Sequence, residues 1–567
     1  MKHIYTCLIP FLILNNITAQ KKLDWDIVPP LKMKAVVTGS FGELRANHFH
    51  TGIDFGTQQT TGHPVYAIDA GSVSRVFVSP TGYGKAVYID HDNGYTSVYC
   101  HLDGFAPVLQ QLVTEMQYAR ESFAIDHYFK RGEVVFRKGD VVGRSGNSGS
   151  SGGPHLHFEI RETREQKPVN AHFLNIALND SVAPHVEAIC IYPLDDDGMV
   201  NGKATPLYLP VVLVNGTYQP KGNMAITASG SVGIGVETLD YYTDSWRKCG
   251  IYSVSLSANG ELVFESRLDV LSFDHQRYIN THIDYARMKT TGKRIQKSFV
   301  DKNNLLQFYT TNSRRGAVAM VAGKTYDFRY NIVDPQGNRS VVTFKIAGQA
   351  KTGFLPPFRP AVADASEPYM VATDGFQASF PANSFYTDVP ALFSVEPNTG
   401  VGIGSHFRVL DETIPIHRNC EIIIPITDAH RSQKGLCGAR VVNGKIVYAG
   451  GKRSGNTMAL QSREGGVYTL AADTVAPTVR LLNVPQGRNY SNRKEIRIEI
   501  KDNFSGIKNY HCLIDGAWQL FEYDAKNSVI IGFFDKMRIQ KGIRHELKVT
   551  VTDNAGNKGY LKLHIVY

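Results

Sequence analysis

Between Val36 and Ile160 the chain alternates short apolar runs with glycine-rich turns, as in "GHPVYAIDAGSVSRVFV" and "YGKAVYIDHDNGYTSVYCHL". Runs of about four to seven β-branched and aromatic residues, closed by Gly or Asn-Gly, cannot sustain a helical stripe and suit an antiparallel sheet. "DNGY" at Asp92–Tyr95 predicts a hairpin. The composition points the same way over the whole chain: 28 Tyr, 28 Phe and 51 Gly favour strands and turns. The expected class is mainly β.

One segment departs from this pattern. In "FAPVLQQLVTEMQYARESFAIDHYF", Phe105–Phe129, apolar residues fall at 108, 109, 112, 116, 119 and 123, with Pro107 suited to a first helical turn. A helical insertion over about 105–129 is expected, as a packing helix first and as a lid or groove wall second.

With 567 residues the chain exceeds one hydrophobic core, and 43% hydrophobic with 20% charged residues excludes extended disorder. Residues 1–20 read as an export signal, because the apolar run from Ile4 to Leu14 is too short to span a bilayer. No transmembrane segment is expected in the mature chain, which is placed in the periplasm, at the cell surface or in the medium. Cys100, Cys190, Cys249, Cys420, Cys437 and Cys512 are too scattered for a disulfide scaffold. Cys420 and Cys437 could pair, or lie buried as single thiols. Residues 21–170 hold 16 basic and 16 acidic residues, so the formal excess of +9 lies almost wholly beyond them. That excess suits weak attraction to an anionic wall or an ordinary solvated surface. No nucleic-acid partner is expected.

Beyond residue 175 a repeat emerges. "DSVAP" at Asp180–Pro184 returns as "DTVAP" at Asp473–Pro477, and "VDPQGN" ending at Asn338 is answered by "TDNAGN" ending at Asn557. Each copy opens at an Ala-Pro turn and closes on a strand, a D-x-x-G-N turn and another strand. These copies resemble immunoglobulin-like modules, and strands such as "IRIEIKD" can build a small sandwich. The expected organisation is a signal at 1–20, a β domain over 21–175, an immunoglobulin-like domain with an insertion over 176–349, a β-sandwich over 350–472 and a C-terminal immunoglobulin-like domain over 473–567.

Chemistry concentrates in "NHFHTGIDFG", residues 47–56, and "GGPHLHFEI", residues 152–160. On a strand His155 and His157 project to one face, and Gly52 allows His50 and Asp54 to converge. Two histidines and a carboxylate fill three corners of a zinc tetrahedron, with a fourth open to solvent. "GSSGG" around Ser151 fits a nucleophile elbow in spelling, but the chain continues into a strand rather than a helix. "HELKV" at His545 lacks the second histidine of a zinc helix.

The blocks "GSFGELRANHFHTGIDFG", "GHPVYAIDAGSV", "YGKAVYIDHDNGYTSVYCHL" and "GDVVGRSGNSGSSGGPHLHFEIR" occur in this order. Together they resemble the LytM/lysostaphin-type, or M23, zinc metallopeptidases over about residues 36–165. The resemblance implies an antiparallel β peptidase domain with one Zn²⁺ per chain held by His50, Asp54 and His157. It implies catalytic roles for His101 and His155, and peptidoglycan stems or cross-links, through Gly-Gly or D-alanyl bonds, as substrate. His48 is expected to stand apart from the metal. Tyr99 is expected to line the site and Cys100 to face the core. The competing readings are a non-enzymatic envelope protein that binds wall or activates another hydrolase and, remotely, a serine hydrolase using Ser151. The β domains beyond 175 are read as binding or spacing modules that could meet an envelope protein partner.

Overall fold

The computed structural model describes residues 22–567 apart from 35, 352–360 and 374, so residues 1–20, expected to be an export signal, lie outside the described residues. The first strands are β1 (Val37–Gly39), β2 (Ile53–Gly56), β3 (Gly71–Val78), β4 (Lys85–Asp90) and β5 (Tyr95–Cys100). Helix α1 (Pro107–Ala119), β6 (Ile125–Tyr128) and β7 (His155–Glu162) follow. They build a nine-stranded sheet with the main path β1-β2-β7-β5-β4-β3-β6. β4 and β5 form the hairpin predicted from "DNGY", with Gly94 at φ 84° in the turn.

One face of this sheet carries Val73, Val76, Val87, Ile89, Leu156, Phe158 and Ile160 into a buried core. The other carries the polar residues that concern function. Because side chains alternate along a strand, β7 reads polar at 155, 157, 159 and 161 and apolar between them.

The helix is shorter than its apolar spacing predicts. It starts at Pro107, ends at Ala119, and buries Leu109, Val113 and Gln117, while Val108 is exposed. Glu121 at φ 46° turns the chain out of the helix, and the β-rich "IDHY" pairs with β3 instead. The apolar residue at 123, Phe123, is buried from a loop. The helix is a packing element that also meets the C-terminal region. Tyr118 Oη donates to Lys536 O at 2.7 Å, with Gln519 Oε1 3.0 Å away, and its ring packs edge-on against Trp518 and lies beneath the Arg538 guanidinium.

Three further bodies follow. Strands from His185 to Gly348 form a twelve-stranded sheet in which the strand Thr227–Leu239 is the most heavily paired, around Ile189, Val232, Ile234, Leu256, Tyr330 and Ile346. Two five-stranded sheets enclose Phe376, Val409, Ile422, Ile424 and Leu460. Two four-stranded sheets enclose Ile496, Ile498, Ile530, Leu547, Val549 and Ile565. All six cysteines of the described residues are free and buried, so Cys420 and Cys437 do not pair. No helix among the described residues is long and apolar enough to cross a membrane.

The histidine-bearing region is gripped from two sides. Phe41 and Phe49 pack with Leu268, Leu271 and Ile279 of the second body. Phe49 N donates to Gln276 Oε1 at 2.6 Å, and Ser40 exchanges hydrogen bonds with Gly250. On the other side Lys85 of β4 reaches Glu522 at 2.7 Å, and Glu522 is shared with Lys536.

Burial pushes the Glu522 carboxyl up, but Lys85 and Lys536 outweigh it and hold it below the ordinary carboxylate range. The ion-pair contribution to stability is therefore complete above the unfolded pKa of about 4.3 and fades as pH falls below it. Glu522→Ala leaves Lys85 nearly buried without its partner, and a loss of about 3 kcal/mol is expected in denaturant unfolding at pH 7. The difference from wild type should shrink at pH 3.

Candidate metal centre

The centre is set by strand register. Asp54 in β2 lies directly opposite His157 in β7, and His157 lies opposite Cys100 in β5. His50 comes from the loop before β2, where Gly52 makes the close approach possible. A Cβ on Gly52 would sit 2.3 Å from Phe158 O, so no other residue fits between the two ligating positions.

Three atoms converge. His50 Nε2 is 3.1 Å from Asp54 Oδ1 and 2.9 Å from His157 Nδ1, and His157 Nδ1 is 2.9 Å from Asp54 Oδ1. Tetrahedral zinc with bonds of about 2.0–2.1 Å needs its ligands about 3.3 Å apart, so these atoms lie close to a zinc-sized triangle. All three residues are buried. The donor set therefore fits the metal that the family resemblance implies.

The outer contacts fix which nitrogen is offered. His50 Nδ1 donates to Ser40 O at 2.8 Å, which leaves Nε2 as the ligand lone pair. His157 is oriented the other way, with Nε2 against Glu159 Oε1 at 2.7 Å and Nδ1 turned inward. Glu159 is fully buried and also engages Arg161 Nε at 2.7 Å, Thr51 Oγ1 at 2.6 Å and Tyr83 Oη at 2.7 Å. Arg45 Nη2 holds the second oxygen of Asp54 at 2.6 Å, which fixes Oδ1 towards the histidines.

Electrostatics follow from burial and these partners. Burial lowers the His50 pKa to about 4, against the pull of Asp54, so the ring is neutral and free to ligate. Burial alone would raise Asp54, but His50, His155 and His157 together hold it well below the ordinary value. For His157 burial favours the neutral ring, and Asp54 and Glu159 on either side override it, raising the pKa to about 9.

Two more imidazoles flank the trio. His155 Nδ1 donates to Gly153 O at 2.8 Å, and its Nε2 lies 3.5 Å from Asp54 Oδ1. His101 Nδ1 donates to Ser148 O at 2.9 Å, which leaves its Nε2 unprotonated, and the His101 and His155 rings are 4.8 Å apart. Burial lowers the His101 pKa to about 3 and keeps it neutral. The structure thus gathers His50, Asp54, His101, His155 and His157 at one place. His48 is exposed, turns its Nδ1 to Ala46 O, and takes no part.

The expectation for Tyr99 is overturned, whereas Cys100 is fully buried as expected, in a small apolar cluster with Ala86, Tyr88 and Val98. Strand β5 ends at Cys100 and His101 takes φ 58°, so the alternation that would put Tyr99 on the His101 side does not extend across the strand end. Tyr99 lies opposite Phe158 in the core, with its hydroxyl bonded to Ile68 N and Ser97 Oγ. Cys100 is on the His157 face. Ser151 Oγ donates to Gly153 O at 2.7 Å in the turn that leads into β7, not in a strand-to-helix elbow. His545 sits in a strand with its ring nitrogens on Asp515 Oδ2 and Gln540 O. Sequence reasoning missed Glu159, Arg161 and Arg45. The signal for the first two was the continued polar alternation of "HLHFEIR".

A buried His₂Asp trio with free imidazoles beside it, on an antiparallel sheet, defines a metallopeptidase-type centre. Residues 48–119 match the model of peptidase family M23, and the chain carries an M23 peptidase domain. A second model, the Zu5-like domain, matches residues 361–473. An uncharacterized metalloprotease of Haemophilus influenzae is 33% identical over 137 residues, covering 23% of this chain and 24% of that protein. The DD-carboxypeptidase/endopeptidase Mpg of Neisseria meningitidis is 36% identical over 127 residues, 22% of this chain and 23% of the relative. The peptidoglycan DD-endopeptidase ShyA of Vibrio cholerae is 33% identical over 133 residues, 24% of each. This chain spans about a quarter of the length of the curated relatives it matches. A crystal structure of a zinc containing peptidase from Vibrio cholerae aligns at 27% identity and a TM-score of 0.19 over 25% of this chain and 38% of that one.

His50→Ala and Asp54→Ala are expected to abolish stoichiometric zinc in purified, folded protein, measured by elemental analysis. Glu159→Gln keeps shape but not charge, and should weaken zinc by about 10–100-fold in competition with a chelator.

Proposed function

We propose that this chain is an exported zinc metalloendopeptidase that cleaves peptide cross-links of peptidoglycan. The observation that carries this reading is the joint placement of the His50–Asp54–His157 trio and two imidazoles, His101 and His155, each anchored through Nδ1 on a backbone carbonyl and with rings 4.8 Å apart. The relatives that bear DD-endopeptidase names favour a D-alanyl bond over a Gly-Gly bond as the point of cleavage.

Zinc bound by the trio supplies Lewis acidity for the scissile carbonyl and lowers the pKa of water towards about 7. The chain's own residues then manage the protons. His155 and His101 each anchor Nδ1 on a backbone carbonyl with the other ring nitrogen left for the reaction, so between them they can take a proton from water and return it to the leaving amine. Their fixed N–H donors hold the rings in place, which reduces reorganisation during reaction. Arg45 neutralises the outer oxygen of Asp54 and keeps that carboxylate from swinging away. Residues 1–20, read as a signal, support export, and the basic excess beyond residue 170 supports wall association.

The test is digestion of purified sacculi by the zinc-loaded full chain, with mass spectrometry of the released fragments. New amino termini at D-alanyl cross-links are expected. His101→Ala should cut turnover by about 10²–10⁴-fold while zinc content stays at wild type. His157→Ala protein that still digested sacculi at the wild-type rate would sink the reading. Intact sacculi with the fully loaded wild-type chain would favour a wall-binding role instead.

A further inference from the structure

Outside the histidine centre, a second group of acidic side chains comes together where the peptidase domain hands over to the body that follows. Asp180, Asp240 and Asp334 bring one carboxylate oxygen each to within 4.8 Å of one another. Asp180 opens the first copy of the repeat, Asp240 follows the long strand Thr227–Leu239, and Asp334 begins the D-x-x-G-N turn. Sequence separations of 60 and 94 residues exclude a local turn as the reason for their meeting.

The hydrogen bonding of the three is unequal. Asp334 is satisfied, since its Oδ1 accepts from Gln336 N, Gly337 N and Asn338 N, and Oδ2 from the Asn338 side chain. Asp180 Oδ1 accepts from Val182 N, whereas its Oδ2 is buried without a partner. Asp240 is fully buried and neither of its carboxylate oxygens has a partner. A buried ionised carboxylate without hydrogen bonds costs several kcal/mol, and such groups in native proteins point to a ligand. Gln336 Oε1, from the same turn, is also buried without a partner.

We propose that Asp180, Asp240 and Asp334 bind a divalent cation of the calcium type, which fastens the start of the second body to its own D-x-x-G-N turn. Calcium takes six to eight oxygen ligands at about 2.3–2.6 Å, so any two of them lie within about 5 Å, as these do. The ligands are all oxygen, with no nitrogen or sulfur, which selects a hard cation over zinc. Burial, with Asp334 and Asp180 adding to it, raises the Asp240 pKa to about 8. Without a cation this group would hold a proton at neutral pH.

The second copy of the repeat carries the same arrangement. Asp473, Asp502 and Asp553 bring oxygens within the same 4.8 Å, and Asp502 Oδ1 is again buried without a partner. The supporting turn matches too: Asn338 Nδ2 reaches Asp334 Oδ2 and Asp180 O, while Asn557 Nδ2 reaches Asp553 Oδ2 and Asp473 O. The recurrence marks the acidic trio as a property of the repeat and not of one junction.

The test uses the zinc-loaded full chain. Calcium chloride is titrated calorimetrically, and thermal unfolding is followed with and without calcium, in wild type, Asp240→Asn and Asp180→Asn. Wild type should bind calcium and unfold several degrees higher in its presence. In either variant the number of calcium ions bound per chain should fall by one, or affinity at one site by at least tenfold. Without calcium Asp240→Asn should unfold close to the wild-type temperature at neutral pH, since the amide replaces a carboxyl that is already uncharged there. Asp180 is only half-buried, so Asp180→Asn serves if Asp240→Asn does not fold. A wild-type chain that neither binds calcium nor gains stability from it overturns the proposal, as does unchanged binding in the folded variants.

Discussion

The pairing of Asp54 with His157 across two neighbouring strands is the constraint on which the centre depends. Antiparallel register makes the two residues direct neighbours, and alternation then places His155 and Glu159 on the same face. A slip of one residue would send Leu156 and Phe158 to the metal side and bury the histidines in the apolar core. The register is held because Leu156, Phe158 and Ile160 are fully buried on the opposite face. Hydrophobic packing on one side of the sheet thus specifies ligand geometry on the other.

Around that pair the protein builds outward in layers of hydrogen bonds. Ser40 O, Glu159, Gly153 O and Ser148 O each fix one imidazole. Arg161 and Thr51 then secure Glu159, and Arg45 secures Asp54. Two of these fixing groups come from segments that other bodies hold. Ser40 bonds to Gly250 of the second body, and Lys526 of the C-terminal body donates to Asn147 O, next to Ser148. The centre is local in sequence motif but distributed in its mechanical support.

The sequence made a good part of this legible, and physical reasons explain the rest. The meeting of His50, Asp54 and His157 could be read because H-x-x-x-D and H-x-H have strand and turn geometry behind them, and the four ordered blocks restricted the fold. Tyr99 was misplaced because parity along a strand says nothing past its last residue, and the positive φ of His101 leaves no mark in composition. The helix was drawn too long because Phe123 keeps helical spacing by coincidence while Glu121 turns the chain away. Arg45 was out of reach: its partner Asp54 lies nine residues on, across a turn whose shape only the folded chain defines. Contacts such as Phe49 with Gln276 join residues 227 apart, and no periodicity encodes them.

The apolar seam formed by Phe41, Phe49, Leu268, Leu271 and Ile279 gives His50, the first histidine of the trio, an unusual address. His50 rides on a strap whose inner edge belongs to the sheet and whose outer edge is upholstered by a different body. Excising the M23 domain at its apparent boundary would strip that upholstery and leave two phenylalanines facing water beside His50. Homology of a short domain can therefore be borrowed freely for its chemistry, while its rigidity is a loan from the rest of the chain.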